Sequence, residues 1–290
     1  MSQSAPMPAG APVIGVFDSG VGGLTVLAAL RRRLPAARLL YAADSAYAPY
    51  GERDRDYVLE RSRRLASFLL GQGAQMLVVA CNTATALAIA ELRGGWPDVP
   101  FVGIEPAIKP ALAARRAGDG PVGVLATPGT LASDKFRSLL ARQRGGDEVL
   151  LQPCPGLAEA IETHGPQGAE PLALLRRFCV ALQRAGCTRV VLGCTHYPLL
   201  AGAIREALAP REVELLDPAD AVAAQALRLA QDLPARGDAG LQAWSNGDPR
   251  LLQRVAQACG LALHEVLPLP EPAAQPPSRT RAVAAQPGLR

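Results

Sequence analysis

Two short stretches, MLVVACNT (Met76–Thr83) and RVVLGCTH (Arg189–His196), decide how this chain of 290 residues folds. Each contains a run of apolar, mostly branched residues, which is typical of a strand buried between layers of helices. Each run ends at a cysteine that is followed by polar residues and then by a helical pattern. The two stretches therefore predict two equivalent strand–turn–helix units, with Cys81 and Cys194 at corresponding strand ends.

A second pair of stretches indicates an internal repeat. IGVFDSG (Ile14–Gly20) resembles VGVLATP (Val122–Pro128) at a displacement of 108 residues, and the two cysteines are displaced by 113. Buried strands can resemble one another by chance, but two matches in the same order at nearly the same displacement favour a duplication. We therefore expect two small doubly wound α/β halves, each with its ligand-binding loops at the carboxyl ends of its strands.

The rest of the chain alternates short apolar runs with helical patterns, as β–α–β units and parallel sheets do. The predicted strands are Val13–Phe17, Arg38–Ala42, Gln75–Ala80, Val99–Ile104, Val122–Ala126, Glu148–Gln152, Arg189–Gly193 and Glu212–Leu216. The segments 1–12 and 265–290, the second of them rich in Pro and Ala, have too few large apolar residues to order themselves, so we expect both to be disordered.

Composition narrows the class of protein. Apolar residues make up 49% of the chain, charged residues 19%, and the net charge is +4, as in ordinary globular proteins. No aromatic residues are interleaved with the basic ones, so we expect no nucleic-acid surface. No targeting segment or membrane-length apolar run is visible, which favours the cytoplasm, where the six cysteines stay reduced. Their spacing does not match a structural zinc site, and we expect no metal.

The positions of Cys81 and Cys194 favour a chemical role for these two thiols. A thiol at a helix N-terminus feels a partial positive charge, so we expect a lowered pKa. Inverting a stereocentre requires a base on one face of a carbon and an acid on the other, and two facing thiols could exchange those roles. The remaining cysteines are interpreted as small apolar packing residues; they are Cys154, Cys179, Cys187 and Cys259.

Asp18 lies in FDSGVGGL (Phe17–Leu24), a strand end followed by a glycine-rich turn and a helix. One alternative is a dinucleotide loop, with Asp44 as the ribose-binding acid, but Thr25 stands where GxGxxG needs its last glycine. Another is a turn in which backbone amides and Ser19 hold a substrate carboxylate while Asp18 orients a proton carrier. Asp18 could also simply cap the helix.

Several neighbours of the cysteines have two interpretations. His196, two residues from Cys194, could tune a thiol or carry a proton, although a lone histidine is more often structural. Asn82, Thr83 and Thr195 could cap helices or donate hydrogen bonds to a substrate carboxylate. Tyr50, in the loop Pro49–Gly51, could pack in the core or cover a site.

The motifs FDSGVGGLTV, APYGER, VVACNTATA, GIEPAIKPA and LGCTHYPLL closely resemble those of the bacterial glutamate racemases. The resemblance covers residues 13–262. It implies an isomerase without a cofactor that interconverts L- and D-glutamate and supplies D-glutamate for peptidoglycan synthesis. It also implies two pseudo-symmetric domains with the active site between them, one formed by 13–101 plus 213–264 and the other by 102–212.

The resemblance also implies roles for individual residues. Cys81 would take the α-proton from D-glutamate and Cys194 from L-glutamate, with Asp18 assisting the first and His196 the second. The substrate-binding residues would be Asp18, Ser19, Tyr50, Gly51, Asn82, Thr83, Thr195 and His196.

An assisting glutamate is expected in CPGLAEAIE (Cys154–Glu162), where Glu162 matches by spacing and Glu159 competes. The expected partner is glutamate itself, and another small amino acid such as aspartate is the alternative substrate. A nucleotide-binding α/β protein is the alternative of another class. The sequence leaves the oligomeric state open, with a homodimer as one alternative.

Overall fold

The computed structural model describes residues 11–116, 118–143, 149–236 and 238–270. Within these ranges ten strands form two sheets. The strands are β1 (Val13–Asp18), β2 (Arg38–Ala43), β3 (Met76–Val79), β4 (Phe101–Gly103), β5 (Val122–Ala126), β6 (Val149–Pro153), β7 (Arg189–Gly193), β8 (Glu214–Leu216), β9 (Gly240–Ser245) and β10 (Val266–Pro268).

Helices connect most of these strands. They are α1 (Leu24–Arg33), α2 (Arg55–Gly71), α3 (Asn82–Gly95), α4 (Ile108–Ala113), α5 (Pro128–Ala132), α6 (Asp134–Gln143), α7 (Leu157–His164), α8 (Ala169–Arg184), α9 (Ala201–Leu208), α10 (Ala219–Ala230) and α11 (Pro249–Ala258). In the described part of the chain, no helix is both long enough and apolar enough to cross a membrane.

The four strands of the smaller sheet follow the same order as four strands of the larger sheet. The six-stranded sheet runs β10-β9-β2-β1-β3-β4 and the four-stranded sheet runs β6-β5-β7-β8, with parallel pairing throughout. The order β2-β1-β3-β4 therefore recurs as β6-β5-β7-β8. The register recurs as well, since Gly15 pairs with Leu77 and Gly123 with Val190. The predicted α/β fold with two doubly wound parallel sheets is confirmed.

Strand β1 is buried along its whole length between two layers of helices. Ile14 and Val16 contribute to a core that includes residues of α1 and α10, whereas Val13 and Phe17 belong to a core with α2 and α3. This alternation is expected for a central parallel strand, whose two faces are both covered. Because the strands are parallel, the carboxyl ends of β1 and β3 lie at one edge, and those of β5 and β7 lie at the matching edge of the second sheet.

The structure corrects the expected boundaries at two places. Strand β8 pairs with β7 in the four-stranded sheet. The chain therefore stays in the second half as far as Leu216, whereas the expected boundary with the first half was at residue 213. Strand β10 lies within the segment 265–290 that was expected to be disordered, and it pairs with β9. Residues 1–10 and 271–290 lie outside the described residues, and the division of the chain into two folding domains stays a prediction.

Strands β9 and β10 were missed for a physical reason. Half of β9 is only partly buried, so its sequence GLQAWS carries polar residues rather than a branched apolar run. β10 has three residues, includes Pro268 and forms the edge of the sheet. An edge strand tolerates proline because the missing amide would have had no partner strand.

We expect Gly15→Ala to destabilise the fold. A Cβ atom at Gly15 would lie 2.5 Å from Leu77 Cδ2, 3.0 Å from Ala74 Cβ and 3.1 Å from Leu69 Cβ, so α2 and β3 would have to move away from β1. Overpacking of this kind costs about 1–3 kcal/mol. Urea denaturation of the two variants Gly15→Ala and Gly71→Ala provides the measurement, because Gly71 ends α2 with no atom within 4 Å of the added carbon. Equal midpoints for both variants would contradict the prediction.

Candidate active site

Cys81 and Cys194 each stand just beyond the carboxyl end of a strand. Cys81 caps α3, its sulfur accepting a hydrogen bond from the Ala84 amide at 3.4 Å. Cys194 follows β7 directly. Both thiols are almost completely buried, with 4% and 6% of their surface exposed, and Cys194 lies close enough to raise the pKa of Cys81. The two predicted thiols therefore lie near each other in a closed site.

The surroundings of Cys81 reverse one expectation of the sequence. Burial raises the pKa of the Cys81 thiol, the negative charge of Asp18 adds to this, and the hydrogen bonds from Ala84 and with Ser19 only partly oppose it. Position at a helix N-terminus was expected to lower this pKa, and that expectation is wrong for this thiol because loss of hydration outweighs the helix end. The charged groups that act on Cys81 are Asp18 and Cys194, and both are negative when ionised.

Asp18 connects the glycine-rich turn to the second cysteine motif. Its Oδ2 accepts the amides of Gly20 at 3.2 Å and Gly23 at 2.9 Å, and its Oδ1 accepts the hydroxyl of Thr195 at 3.3 Å. Burial raises the pKa of Asp18, an effect that outweighs the lowering by His196 and by the two amides. The carboxyl group therefore fixes the turn against the opposite half of the site.

The glycines of the turn are required by close packing between the halves. A Cβ atom at Gly22 would lie 2.6 Å from both His196 Nδ1 and Thr195 Oγ1. A Cβ atom at Gly20 would lie 1.8 Å from Glu162 Oε1. The turn is thus packed against neighbouring side chains, and its amides, which would hold the phosphates of a nucleotide, donate to Asp18 and Glu162 instead.

His196 bridges Cys194 and Glu162. Its Nδ1 lies 3.6 Å from Cys194 Sγ, and its Nε2 lies 2.6 Å from Glu162 Oε1. Burial alone lowers the pKa of His196, but the hydrogen bonds with Cys194 and Glu162 outweigh burial and raise this pKa well above its usual value. The structure brings Glu162 into the site, whereas Glu159 is exposed on the outer face of α7.

Glu162 also reaches the first half of the chain. The oxygen that contacts His196 accepts the Val21 amide at 2.6 Å. Helix α7, which carries Glu162, therefore contacts the glycine-rich turn and the second cysteine motif at once.

Three buried threonines meet between the halves. The Thr83 hydroxyl lies 3.1 Å from that of Thr127 and 3.3 Å from that of Thr130, and Thr127 donates to Thr130 at 2.9 Å. Thr83 was predicted as a site residue, whereas Thr127 and Thr130 were missed. The repeat carried the missing signal, because the displacement of 108 residues places Thr127 opposite Ser19.

Three predicted site residues differ in whether their polar groups already have hydrogen-bond partners; they are Asn82, Thr195 and Tyr50. Neither polar atom of the buried Asn82 side chain has a hydrogen-bond partner among the described residues, so this amide is free to bind a ligand. Thr195 donates to Asp18. The Tyr50 hydroxyl is fully buried and donates to Asp44.

Asp44 anchors the loop that carries Tyr50 and Gly51. It accepts two hydrogen bonds from Arg61, at 2.8 and 2.5 Å, and one from Asn246 at 2.8 Å. Gly51 packs against Thr127, where a Cβ atom would lie 2.7 Å from the threonine Cβ. Tyr50 therefore positions Gly51 through its ring and its bond to Asp44, and Asp44 is a structural anchor rather than a ribose ligand.

Groups of three or more His, Cys, Asp or Glu side chains that could hold a metal ion are absent from the described residues. The chemistry available in the site consists of two thiols, a carboxyl group at Asp18, an imidazole paired with a carboxylate, and several hydroxyl, amide and backbone donors.

Comparisons with known proteins identify relatives of this chain. The chain is 49% identical over 245 residues to the glutamate racemase of Pseudomonas aeruginosa strain PAO1, which covers 83% of this chain and 91% of the relative. It is 50% identical over 249 residues to the glutamate racemase of Pseudomonas putida strain W619, with the same coverage of 83% and 91%.

Solved structures are similar over nearly the whole chain. The Escherichia coli glutamate racemase in complex with L-glutamate and the activator UDP-MurNAc-Ala has a TM-score of 0.77 at 32% identity, covering 89% of this chain and 97% of that one. The Thermus thermophilus glutamate racemase in complex with β-chloro-D-alanine has a TM-score of 0.69 at 36% identity, covering 89% and 96%. A family model described as Asp/Glu/hydantoin racemase matches residues 14–226. The chain therefore belongs to the Asp/Glu/hydantoin racemase family.

Proposed function

We propose that this protein is a glutamate racemase that interconverts L- and D-glutamate without a cofactor, using Cys81 and Cys194 as paired acid and base. The observation that carries the proposal is the pair of buried, neighbouring thiols at equivalent strand ends of a duplicated fold. The glutamate racemases to which the chain is about half identical support glutamate as the substrate. D-Glutamate made in this way would serve peptidoglycan synthesis, in the cytoplasm, where thiols stay reduced.

Racemisation removes a proton from one face of the α-carbon and adds a different proton to the opposite face. The Cys81 thiolate removes the α-proton of D-glutamate, and the electron pair of the broken C–H bond is delocalised into the α-carboxylate. The Cys194 thiol then donates its proton to the opposite face and becomes the thiolate. L-Glutamate reacts in the reverse sense, so each turnover leaves the enzyme ready for the other enantiomer.

The substrate itself supplies a positive charge beside Cys81. Burial and Asp18 oppose a thiolate at Cys81. The α-ammonium group of a bound amino acid offsets both effects, because an opposite charge nearby favours the ionised form of a thiol. Asp18 meets the ammonium group beside Cys81, and His196 performs the corresponding proton-tuning role beside Cys194.

Neutral donors bind the two carboxylates of glutamate. Asn82 and Thr83 begin α3, where backbone amides and side-chain donors converge on an anion. Ser19 adds a hydroxyl from the first half, and the Thr195 hydroxyl contributes from the second half by exchanging its hydrogen bond to Asp18 for one to the ligand. The backbone of Gly51, held in place by Tyr50, contributes from the remaining side. These donors recognise a dicarboxylate without a full positive charge.

The substrate assignment is tested by following L- or D-glutamate by circular dichroism with no cofactor added. We expect the signal of either enantiomer to decay to zero as the racemic mixture forms. Parallel reactions with L- and D-aspartate distinguish the alternative substrate, and decay with aspartate but not glutamate would contradict the assignment.

Replacing either proposed proton carrier should abolish most of the activity. We expect Cys81→Ser and Cys194→Ser each to reduce kcat/KM by roughly 100-fold or more, because a serine hydroxyl is a far weaker acid and general acid–base catalysis contributes factors of about 10²–10⁴. The assay is the same circular dichroism measurement. Cys259→Ser, which alters a partly buried thiol in the turn after α11, is the matched control and should remain active. Near-normal turnover in either active-site variant would contradict the two-thiol scheme.

The pH dependence should respond to Glu162. Its hydrogen bond with His196 raises the pKa of the imidazole, so Glu162→Gln should lower that pKa. Imidazolium is lost as pH rises through its pKa. The alkaline limb of the kcat/KM profile should therefore move to lower pH in Glu162→Gln.

The profile is measured from about pH 6 to 10, together with the NMR titration of the imidazole. The control is Glu159→Gln, which removes an exposed carboxylate from the same helix and should leave the profile in place. A Glu159→Gln shift larger than that of Glu162→Gln would reverse the assignment of the assisting carboxylate.

A further inference from the structure

The site described above is closed to substrate. The exposed fractions of Cys81 and Cys194 are 4% and 6%, and Asn82, Thr83 and Thr195 are buried as well. Glutamate can reach the two thiols only if the contacts between the halves break and form again in each turnover. Contacts that exist only in the closed arrangement therefore set how readily the complete site assembles around its substrate.

Most of the contacts between the halves are made by residues of the site itself. These are the Thr83–Thr127 pair, the Asp18–Thr195 hydrogen bond and the contact of Glu162 with Val21. One more contact lies at the surface and uses a residue that the mechanism leaves without a role. Glu52 Oε1 accepts the Gly156 amide at 2.7 Å.

The Glu52–Gly156 contact fastens the beginning of α7. Gly156 precedes that helix in the left-handed region, with φ of +72°, and no side chain caps the helix there. The carboxylate of Glu52 lies beside the positive end of the helix, a position in which a negative charge is favourable. Six residues further along the chain, Glu162 contacts both His196 and Val21. Helix α7 is thus tied to the first half near both ends.

Glu52 is itself firmly placed. It is the last residue of the short 3-10 turn Tyr50–Glu52. The first residue of this turn, the buried Tyr50, is hydrogen-bonded to Asp44, and the middle residue, Gly51, packs on Thr127. The turn therefore fixes the backbone of Glu52 within reach of the Gly156 amide.

We propose that Glu52 is a positioning residue for racemisation: by accepting the Gly156 amide it fixes the start of α7 across the closed cleft and so holds Glu162 and His196 in place. This inference rests on the proposed racemase function. Glu52 touches neither substrate nor the reacting atoms, so it acts on the balance between the open and closed forms. Losing the contact should weaken apparent substrate affinity and leave the chemistry of the saturated enzyme nearly unchanged.

The test compares Glu52→Ala, Glu52→Gln and Asp56→Ala. Asp56 is a nearby carboxylate, 95% exposed at its side chain, whose contact is with the adjacent Arg55 and not with the second half. We expect Glu52→Ala to raise KM for both enantiomers about three- to tenfold with kcat within about twofold of the unaltered enzyme, as the loss of one solvent-exposed hydrogen bond predicts. Glu52→Gln keeps an acceptor oxygen and should recover most of the loss, and Asp56→Ala should behave as the unaltered protein.

A second measurement does not depend on the reaction. The concentration of D-glutamate that half-protects Cys81 and Cys194 from alkylation by iodoacetamide, followed by mass spectrometry, should be about three- to tenfold higher in Glu52→Ala, because the bound ligand then holds the closed form less well. Thermal midpoints of the three variants should agree within a few degrees, which separates positioning from loss of stability.

An unchanged KM and an unchanged protection of the two thiols from alkylation in Glu52→Ala would overturn the role of Glu52 while leaving the racemase intact. A fall in kcat as large as the rise in KM, or a loss in Asp56→Ala equal to that in Glu52→Ala, would also overturn it. If the unaltered protein does not racemise glutamate, the proposed function fails, and the proposal for Glu52 fails with it.

Discussion

The close approach of the glycine-rich turn to the second cysteine motif is the constraint on which the site depends. Gly20 and Gly22 lie against Glu162 and against Thr195 and His196, with no space for a Cβ atom on either glycine. The approach allows Asp18 to accept a hydrogen bond from the Thr195 hydroxyl. It also allows Glu162 to accept the Val21 amide and to contact His196 with the same oxygen. Without it, each half would keep its thiol, but the two thiols would no longer lie near each other.

That approach buries an unusual set of charges. Asp18, Cys81 and Glu162 are negative when ionised, and His196 is the positive partner within the site, with a pKa raised by Cys194 and Glu162 against the effect of burial. The other strongly held ion pair nearby, Asp44 with Arg61, is directed to the Tyr50 loop. A ligand that brings one positive group between negative side chains, and two anionic groups to neutral donors, is complementary to this arrangement, and glutamate has that distribution of charge.

The sequence predicted the elements that are local in the chain. The strand–cysteine–helix units and the glycine-rich turn follow from runs of fewer than ten residues, and the repeat follows from comparing them. What it could not predict depends on distant partners. Asn246 reaches Asp44 from 202 residues away, and Glu52 reaches Gly156 from 104 residues away. The rise in the pKa of Cys81 likewise depends on how completely the folded chain buries the thiol, which a helix N-terminus in the sequence does not reveal. The missed strand β9 had too little branched apolar sequence to stand out.

The strand order that recurs in the two sheets does not come with two identical half-sites. Asp18 in the first half is matched by Ala126 in the second, and His196 in the second is matched by Thr83 in the first, each at the displacement of its own repeat. A symmetric pair of separate subunits would have to offer the same partner to both thiols. Joining the two copies in one chain removes that restriction, since mutations can change one copy alone. One half can thus carry a carboxyl group and the other an imidazole, which fits an apparently symmetric reaction to a substrate whose own two ends are different.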